Sequence, residues 1–280
     1  MREITYSQIV DTVRNLCIEA NCALPEDVKK TLCAACTAER SPVGQGILGD
    51  IVENFTFAGE RRLPICQDTG MAVVFLDLGQ EVHITGGLLT DAVNEGVAKG
   101  YTEGFLRKSI VGDPLCRVNT EDNTPAVVHL RLVEGDRLSI TVAPKGAGSE
   151  NMTVLRMLKP SSTPEQVEDA IVQAVSEAGS NPCPPVVVGV GLGGNAEQAA
   201  ELAKRALLRP LDGQNPDPYY AAMEARLLER VNALGIGPQG LGGTTTALAV
   251  SMLTAPTHIA QMPLCVNLCC HVCRHAKAVL

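Results

Sequence analysis

The 280-residue sequence predicts a mixed α+β fold, because apolar residues recur at helical spacing in the first quarter and alternate between positions 126 and 143. Helical spacing then returns from Pro164 onward. The helical N-terminal region rests on two stripes: Ile9, Val10, Val13, Leu16 and Cys17 over residues 7–21, and Val28, Leu32 and Cys36 in a helix starting at Pro25. Residues 71–78 are an apolar run of buried-strand length, and residues 86–100 are helical through Leu88, Ala92, Val93 and Val97. Val128, Leu130 and Leu132 alternate, Glu134-Gly135-Asp136 turns, and Leu138, Ile140 and Val142 alternate again. This pattern predicts an antiparallel hairpin within a mixed sheet. Thr163-Pro164-Glu165-Gln166 has the form of a capping box with Pro at the first helical position; Val167, Ile171, Ala174 and Val175 make the buried face up to Gly179. A continuous apolar strand at 186–191 leads through a Gly-rich turn into a helix at 197–208, and a further helix covers 218–234. An apolar stretch at 247–253 then leads to His258 and on to the region of Cys270. With no internal repeat and no clear linker, residues 1–280 read as a single domain, a mixed sheet with surrounding helices.

Hydrophobic residues make up 45% of the chain, enough to bury a core, and the net charge of -8 argues against a nucleic-acid surface, which draws affinity from clustered Lys and Arg. No charged leader precedes an apolar stretch at the N-terminus, and no apolar run approaches the roughly 20 residues of a bilayer span. Neither a membrane nor a nucleic-acid partner is expected. Eleven cysteines, an odd number, fit a reducing compartment, so the expected location is the cytoplasm.

Three of these cysteines sit in separate punctuated loops: Cys66 in Pro-Ile-Cys-Gln-Asp-Thr-Gly, Cys183 in Asn-Pro-Cys-Pro-Pro, and Cys270 in Asn-Leu-Cys-Cys-His. Turn formers and polar neighbours hold a thiol in a defined pose, as a ligand requires. Three such thiolates converging on one point would hold an iron–sulfur cluster with one iron left open as a Lewis acid. Cys66-Gln67-Asp68-Thr69 places a thiol, an amide, a carboxylate and a hydroxyl in succession, and Asp68 is a candidate acid, base or orienting group. Lys145-Gly146-Ala147-Gly148 offers backbone N–H groups beside a lysine, a cradle for a carboxylate, and Arg107 is a candidate bidentate partner for one. His258 is the histidine least explained as surface decoration.

Competing readings exist for several motifs. Cys33-x-x-Cys36 and Cys270-x-x-Cys273 have zinc-ligand spacing, which would make a zinc-stabilised binding module, although Cys36 also lies on a helical stripe. An electron-transfer iron–sulfur protein is a third class, but it leaves Gln67, Asp68, Lys145 and Arg107 without a task. Gly189-Val-Gly-Leu-Gly-Gly superficially satisfies a dinucleotide fingerprint. Tight strand-to-helix packing explains it better, because no acidic residue ends a second strand some 20 positions on.

Six motifs, in order, resemble the class I fumarase and L-tartrate dehydratase family: the Cys66 loop, Lys145-Gly-Ala-Gly-Ser-Glu-Asn, the Cys183 loop, Gly189-Val-Gly-Leu-Gly-Gly-Asn, Gly235-Ile-Gly-Pro-Gln-Gly-Leu-Gly-Gly-Thr, and Pro256-Thr-His through Cys270-His. The likeness spans about residues 10–276. It implies an oxygen-sensitive [4Fe-4S] hydro-lyase acting on a small hydroxy-dicarboxylate, malate/fumarate first and tartrate as the alternative. Carried over by position, Cys66, Cys183 and Cys270 are the cluster ligands. Gln67, Arg107, Lys145, Gly146 and Gly148 bind the dicarboxylate, and Asp68 and His258 fall in the catalytic region. The one-chain members continue into a C-terminal domain, whereas this sequence stops at Leu280, which leads us to expect an alpha subunit active only with a beta subunit, in a heterotetramer. Cys269 and Cys273 stand where other residues are usual in the family.

Overall fold

A computed structural model describes residues 2–280. In chain order its elements are β1 (Arg2–Thr5), α1 (Tyr6–Cys22), α2 (Glu26–Ala38), α3 (Pro42–Arg61), β2 (Met71–Gly79), β3 (Val82–Thr85), α4 (Leu89–Glu103), β4 (Val127–Val133) and β5 (Leu138–Lys145). There follow α5 (Ala147–Glu150), β6 (Val154–Leu158), α6 (Pro164–Ala178), β7 (Val186–Gly193), α7 (Ala196–Ala206), α8 (Pro218–Asn232), β8 (Ala247–Ala255), β9 (Met262–Cys269) and β10 (Ala276–Val279). The fold is α+β, as the periodicities predict. The chain forms two compact units: the first takes the chain through Pro25, Phe55–Ala147 and Arg274–Leu280, the second Glu26–Asn54 and Gly148–Cys273. Among the described residues, no helix is long and apolar enough to cross a membrane.

The first unit is built on a sheet of order β10-β5-β2-β4, with β1 and β3 as a separate parallel pair. Helices α1 and α4 supply Ile9, Val13, Leu16, Val93 and Val97, which pack with Ala72, Val74 and Leu76 of β2 and Leu138, Ile140 and Val142 of β5. Full burial of each large aliphatic side chain contributes roughly 1.5–3 kcal/mol. The expected hairpin does not form. Strands β4 and β5 run antiparallel to each other but do not pair; β2 lies between them, parallel to β4 and antiparallel to β5. The turn after β4 passes over the end of β2, where Gly79 N–H donates to Arg137 O (2.8 Å) and Glu81 N–H to Gly135 O (3.0 Å). The physical reason lies in the apolar patterns. β2 is apolar on both faces and takes the central place, whereas β4 exposes Leu130 and Leu132 and takes the edge.

The second unit carries a sheet of order β6-β9-β7-β8. Val186, Val188 and Val190 of β7 face Val167, Ile171, Ala174 and Val175 of α6 and Met223, Leu227 and Val231 of α8. On the opposite face α7 presses so close that a Cβ at Gly191 would stand 2.0 Å from Ala199 O. The glycines of that run therefore serve strand-to-helix packing, as read from the sequence. The predicted capping box is present: Thr163 Oγ1 accepts from Gln166 N–H, and Gln166 Oε1 accepts from Thr163 N–H at 2.9 Å. Such a cap contributes about 1 kcal/mol.

Candidate functional site

In the first unit the loop leading into β2 is tied down from every side. Ile65 N–H donates to Asn21 O (3.0 Å), and Thr69 Oγ1 donates to Arg107 O (3.0 Å). The buried Tyr101 hydroxyl lies 2.8 Å from Thr69 O and 3.1 Å from Gly70 O, and the buried Asn123 Nδ2 donates to Gly70 O (3.1 Å). Arg274 is only 5% exposed, so its charge is sheltered from water while its Nη2 donates to Asp68 O at 2.6 Å. Gly70 has φ +72, and a Cβ there would sit 2.7 Å from the Lys145 carbonyl, so only glycine permits this approach of loop and β5. Both carboxylate oxygens of Asp68 are engaged: Oδ1 accepts from Gly70 N–H (3.0 Å) and Oδ2 from Ala147 N–H (2.9 Å). The result is a rigid platform that leaves Gln67 exposed and the Cys66 thiol partly exposed. Asp68 N–H points at Cys66 Sγ (3.4 Å), the type of contact that stabilises a thiolate ligand. Of the residues expected in the site, Cys66, Gln67, Asp68, Arg107, Lys145 and Gly146 thus lie around one loop.

In the second unit the other two cysteine loops are joined by a histidine. His271 N–H donates to Cys183 O (3.3 Å) and its Nδ1 lies 3.0 Å from the same oxygen, so the residue next to Cys270 is fastened to the backbone of Cys183. Gln239 donates to Pro184 O through both its backbone N–H (2.7 Å) and Nε2 (2.9 Å), and Nε2 also lies 3.1 Å from His271 Nδ1. Gly148 belongs here too, since a Cβ on it would stand 3.4 Å from Asn181 O in the Cys183 loop. His258 does not. It is exposed in the turn between β8 and β9, where Thr257 Oγ1 donates to Gly194 O (2.8 Å) at the far end of β7. Cys183 precedes the near end of that eight-residue strand, and β9 brings Cys269 opposite Val187 there. A strand of eight residues spans ~23 Å, and the loop of His258 and the loops of Cys183 and Cys270 lie at its opposite ends.

The thiols differ in what they can ligate. Burial pushes the Cys17 thiol up to about 12 and the Cys265 thiol up to about 11, which keeps both protonated and poor metal ligands. Cys269 is buried as the last residue of β9, whereas Cys270 follows it into the loop and is partly exposed, which separates the two neighbours. Cys273 is buried with its Sγ 3.8 Å from Leu207 O, and Cys36 Sγ lies 3.7 Å from Gln45 O. Among the described residues, no three His, Cys, Asp or Glu side chains converge on a single ion. Three cysteines holding one cubane cluster would each bond a different iron, and so would gather around the cluster rather than on one ion. Cys66 in the first unit and Cys183 and Cys270 in the second are each loop thiols at least partly exposed, the type of donor such a cluster takes.

Residues 10–279 match the family described as Fumarate hydratase (Fumerase). The chain belongs to this family. This fumarate hydratase family member is therefore a hydro-lyase. It is 40% identical over 275 residues to a Methanocaldococcus jannaschii protein named "Putative L(+)-tartrate dehydratase subunit alpha", covering 96% of each chain. It is 33% and 32% identical over 276 residues to the proteins named "L(+)-tartrate dehydratase subunit alpha" of Escherichia coli strains UTI89 and K12, covering 96% of this chain and 89% of theirs. Tyr101, Asn123, Gln239, His271 and Arg274, which hold these loops in the family member, have no role predictable from the sequence. The first two carried no local signal, whereas His271 and Arg274 lay inside a motif already marked for its cysteines.

Proposed function

We propose that the chain is the alpha subunit of a [4Fe-4S] hydro-lyase that interconverts malate and fumarate, with Cys66, Cys183 and Cys270 as the cluster ligands. The observation that carries this reading is the Cys66–Gly70 loop, held by Tyr101, Asn123 and Arg274 so that its thiol and Gln67 face outward from a fixed backbone. When bound, the cluster supplies a Lewis-acidic iron for the substrate hydroxyl. Lys145, Arg107, Gln67 and the N–H groups of Gly146 and Gly148 bind and orient the carboxylates. Asp68 acts here by positioning: with one oxygen on Gly70 N–H and the other on Ala147 N–H, it holds the cysteine loop and the glycine cradle in one arrangement. Proton transfer at carbon then falls to a group beyond those gathered around the loop. A beta subunit with the C-terminal fumarase-type domain is the natural source, in a cytoplasmic, oxygen-sensitive heterotetramer.

A second reading, L(+)-tartrate as substrate, is favoured by the names of the relatives. Anaerobic co-expression of this chain with its beta subunit, followed by assays of malate, fumarate and L(+)-tartrate, separates the two. Reversible malate–fumarate turnover is expected; turnover of tartrate alone selects the second reading. An intact cluster with no turnover of any of the three would sink both.

A further inference from the structure

We propose that Gln239 is a positioning residue that locks the Cys183 and Cys270 loops into the mutual placement a cluster requires. The proposal rests on the cluster assignment given above. Gln239 lies in a loop where Gly235, Gly237, Gly240, Gly242 and Gly243 all take positive φ, as glycine does without strain. Gln239 takes φ 52 as well, the one side-chain-bearing residue of the segment to do so. A glycine would relieve that backbone, so the side chain must serve a purpose that outweighs the strain.

Its contacts identify the purpose. The backbone N–H and Nε2 of Gln239 both reach Pro184 O, next to Cys183, while Nε2 also reaches Nδ1 of His271, next to Cys270. One amide thereby touches the residue beside each of the two thiols. Cys183 itself has φ 54, so both sides of the contact are held in left-handed backbone. The loop is seated without slack: a Cβ on Gly240 would lie 2.3 Å from Ser180 Cβ, and Cys183 N–H donates to Ser180 O at 3.0 Å. Residues that orient metal ligands in this way, without binding the metal, strongly affect its retention.

The test compares the parent chain with Gln239→Gly and Gln239→Glu, each co-expressed with the beta subunit and reconstituted anaerobically with iron and sulfide. Iron and labile sulfide content, the visible absorption and EPR line shape of the cluster, and its rate of loss in air are measured, alongside thermal unfolding of the cluster-free protein. Gln239→Gly should unfold at the same temperature as the parent or higher, because the strain is gone, yet lose its cluster about 10–100-fold faster. Gln239→Glu, which cannot donate from its side chain to Pro184 O, should lose its cluster in the same way. Parent-like iron content and cluster lifetime in Gln239→Gly would overturn the proposal, as would a loss of iron that only tracks a lowered unfolding temperature. A parent that takes up no iron or sulfide overturns the cluster assignment itself, an outcome distinct from any difference between parent and variant.

Discussion

Cys183→Ser is expected to yield a folded chain with no [4Fe-4S] cluster: iron and labile sulfide near zero after anaerobic reconstitution, and no hydro-lyase activity with the beta subunit. A serine hydroxyl stays protonated at neutral pH and offers iron a far poorer ligand than a thiolate. The thiol is exposed, so the substitution should change apo-protein stability by no more than about 0.5 kcal/mol. Cys17→Ser supplies the opposite pattern. That thiol is wholly buried in the core of the first unit, so the variant should lose stability, by roughly 1–3 kcal/mol for a buried hydroxyl without a partner, while retaining its cluster. Chemical denaturation and metal analysis on the two variants together distinguish ligation from packing. Full iron and sulfide in Cys183→Ser would refute the ligand assignment.

The second large effect is expected at Glu39, just past the end of α2. Its Oε1 accepts from the N–H groups of Arg40 (2.8 Å), Ser41 (2.9 Å) and Thr244 (2.9 Å) and from Thr244 Oγ1 (3.0 Å), and Oε2 accepts from Thr245 N–H (2.8 Å). Burial pushes its pKa up, but the hydrogen bonds from Ser41, Thr244 and Thr245 outweigh burial and hold it at about 2, against an ordinary 4.5. A carboxylate depressed in the folded state stabilises fully above the unfolded value and loses that contribution as pH falls through the folded one. The window is therefore from about 4.5 down to about 2, and the contribution is on the order of 3 kcal/mol. Glu39→Gln would turn an amide NH2 toward backbone donors that then lack an acceptor, costing roughly 2–4 kcal/mol. Calorimetry at neutral pH should show Tm lowered by roughly 5–10 °C, with the gap to the parent narrowing as pH drops through that window. An unchanged Tm would show that Glu39 does not clasp the glycine-rich loop.

Much of the architecture was legible because burial leaves a period in the sequence. The stripe in α1, the capping box of α6 and the uninterrupted valines of β7 each carry their own local cause, and each was found. Strand order left no such trace. The alternation of β4 and β5 is compatible both with direct pairing and with a third strand between them, and only the two-faced burial of β2 decides which occurs. The site shows the same division. Cys66, Gln67 and Asp68 announced themselves by density of chemistry in one loop, whereas Tyr101 and Asn123 act on that loop from a distant helix and turn. His258 stood out in the sequence for its surroundings, yet the antiparallel run of β9 carries it to the other end of the sheet from Cys183 and Cys270.

The threading of the first unit has a consequence for biosynthesis. Its sheet is finished by β10, whose Ala276 lies opposite Val142, and its cysteine loop is clamped by Arg274 on Asp68 O. A ribosome delivers Cys66 early but delivers this clamp only after all of Gly148–Cys273, Cys183 and Cys270 included. In a nascent chain, the Asp68 backbone acquires its last restraint after every one of the three thiols already exists. Under the proposed ligand set, the loop that carries Cys66 would thus reach its final restraint only once all three ligands have been made.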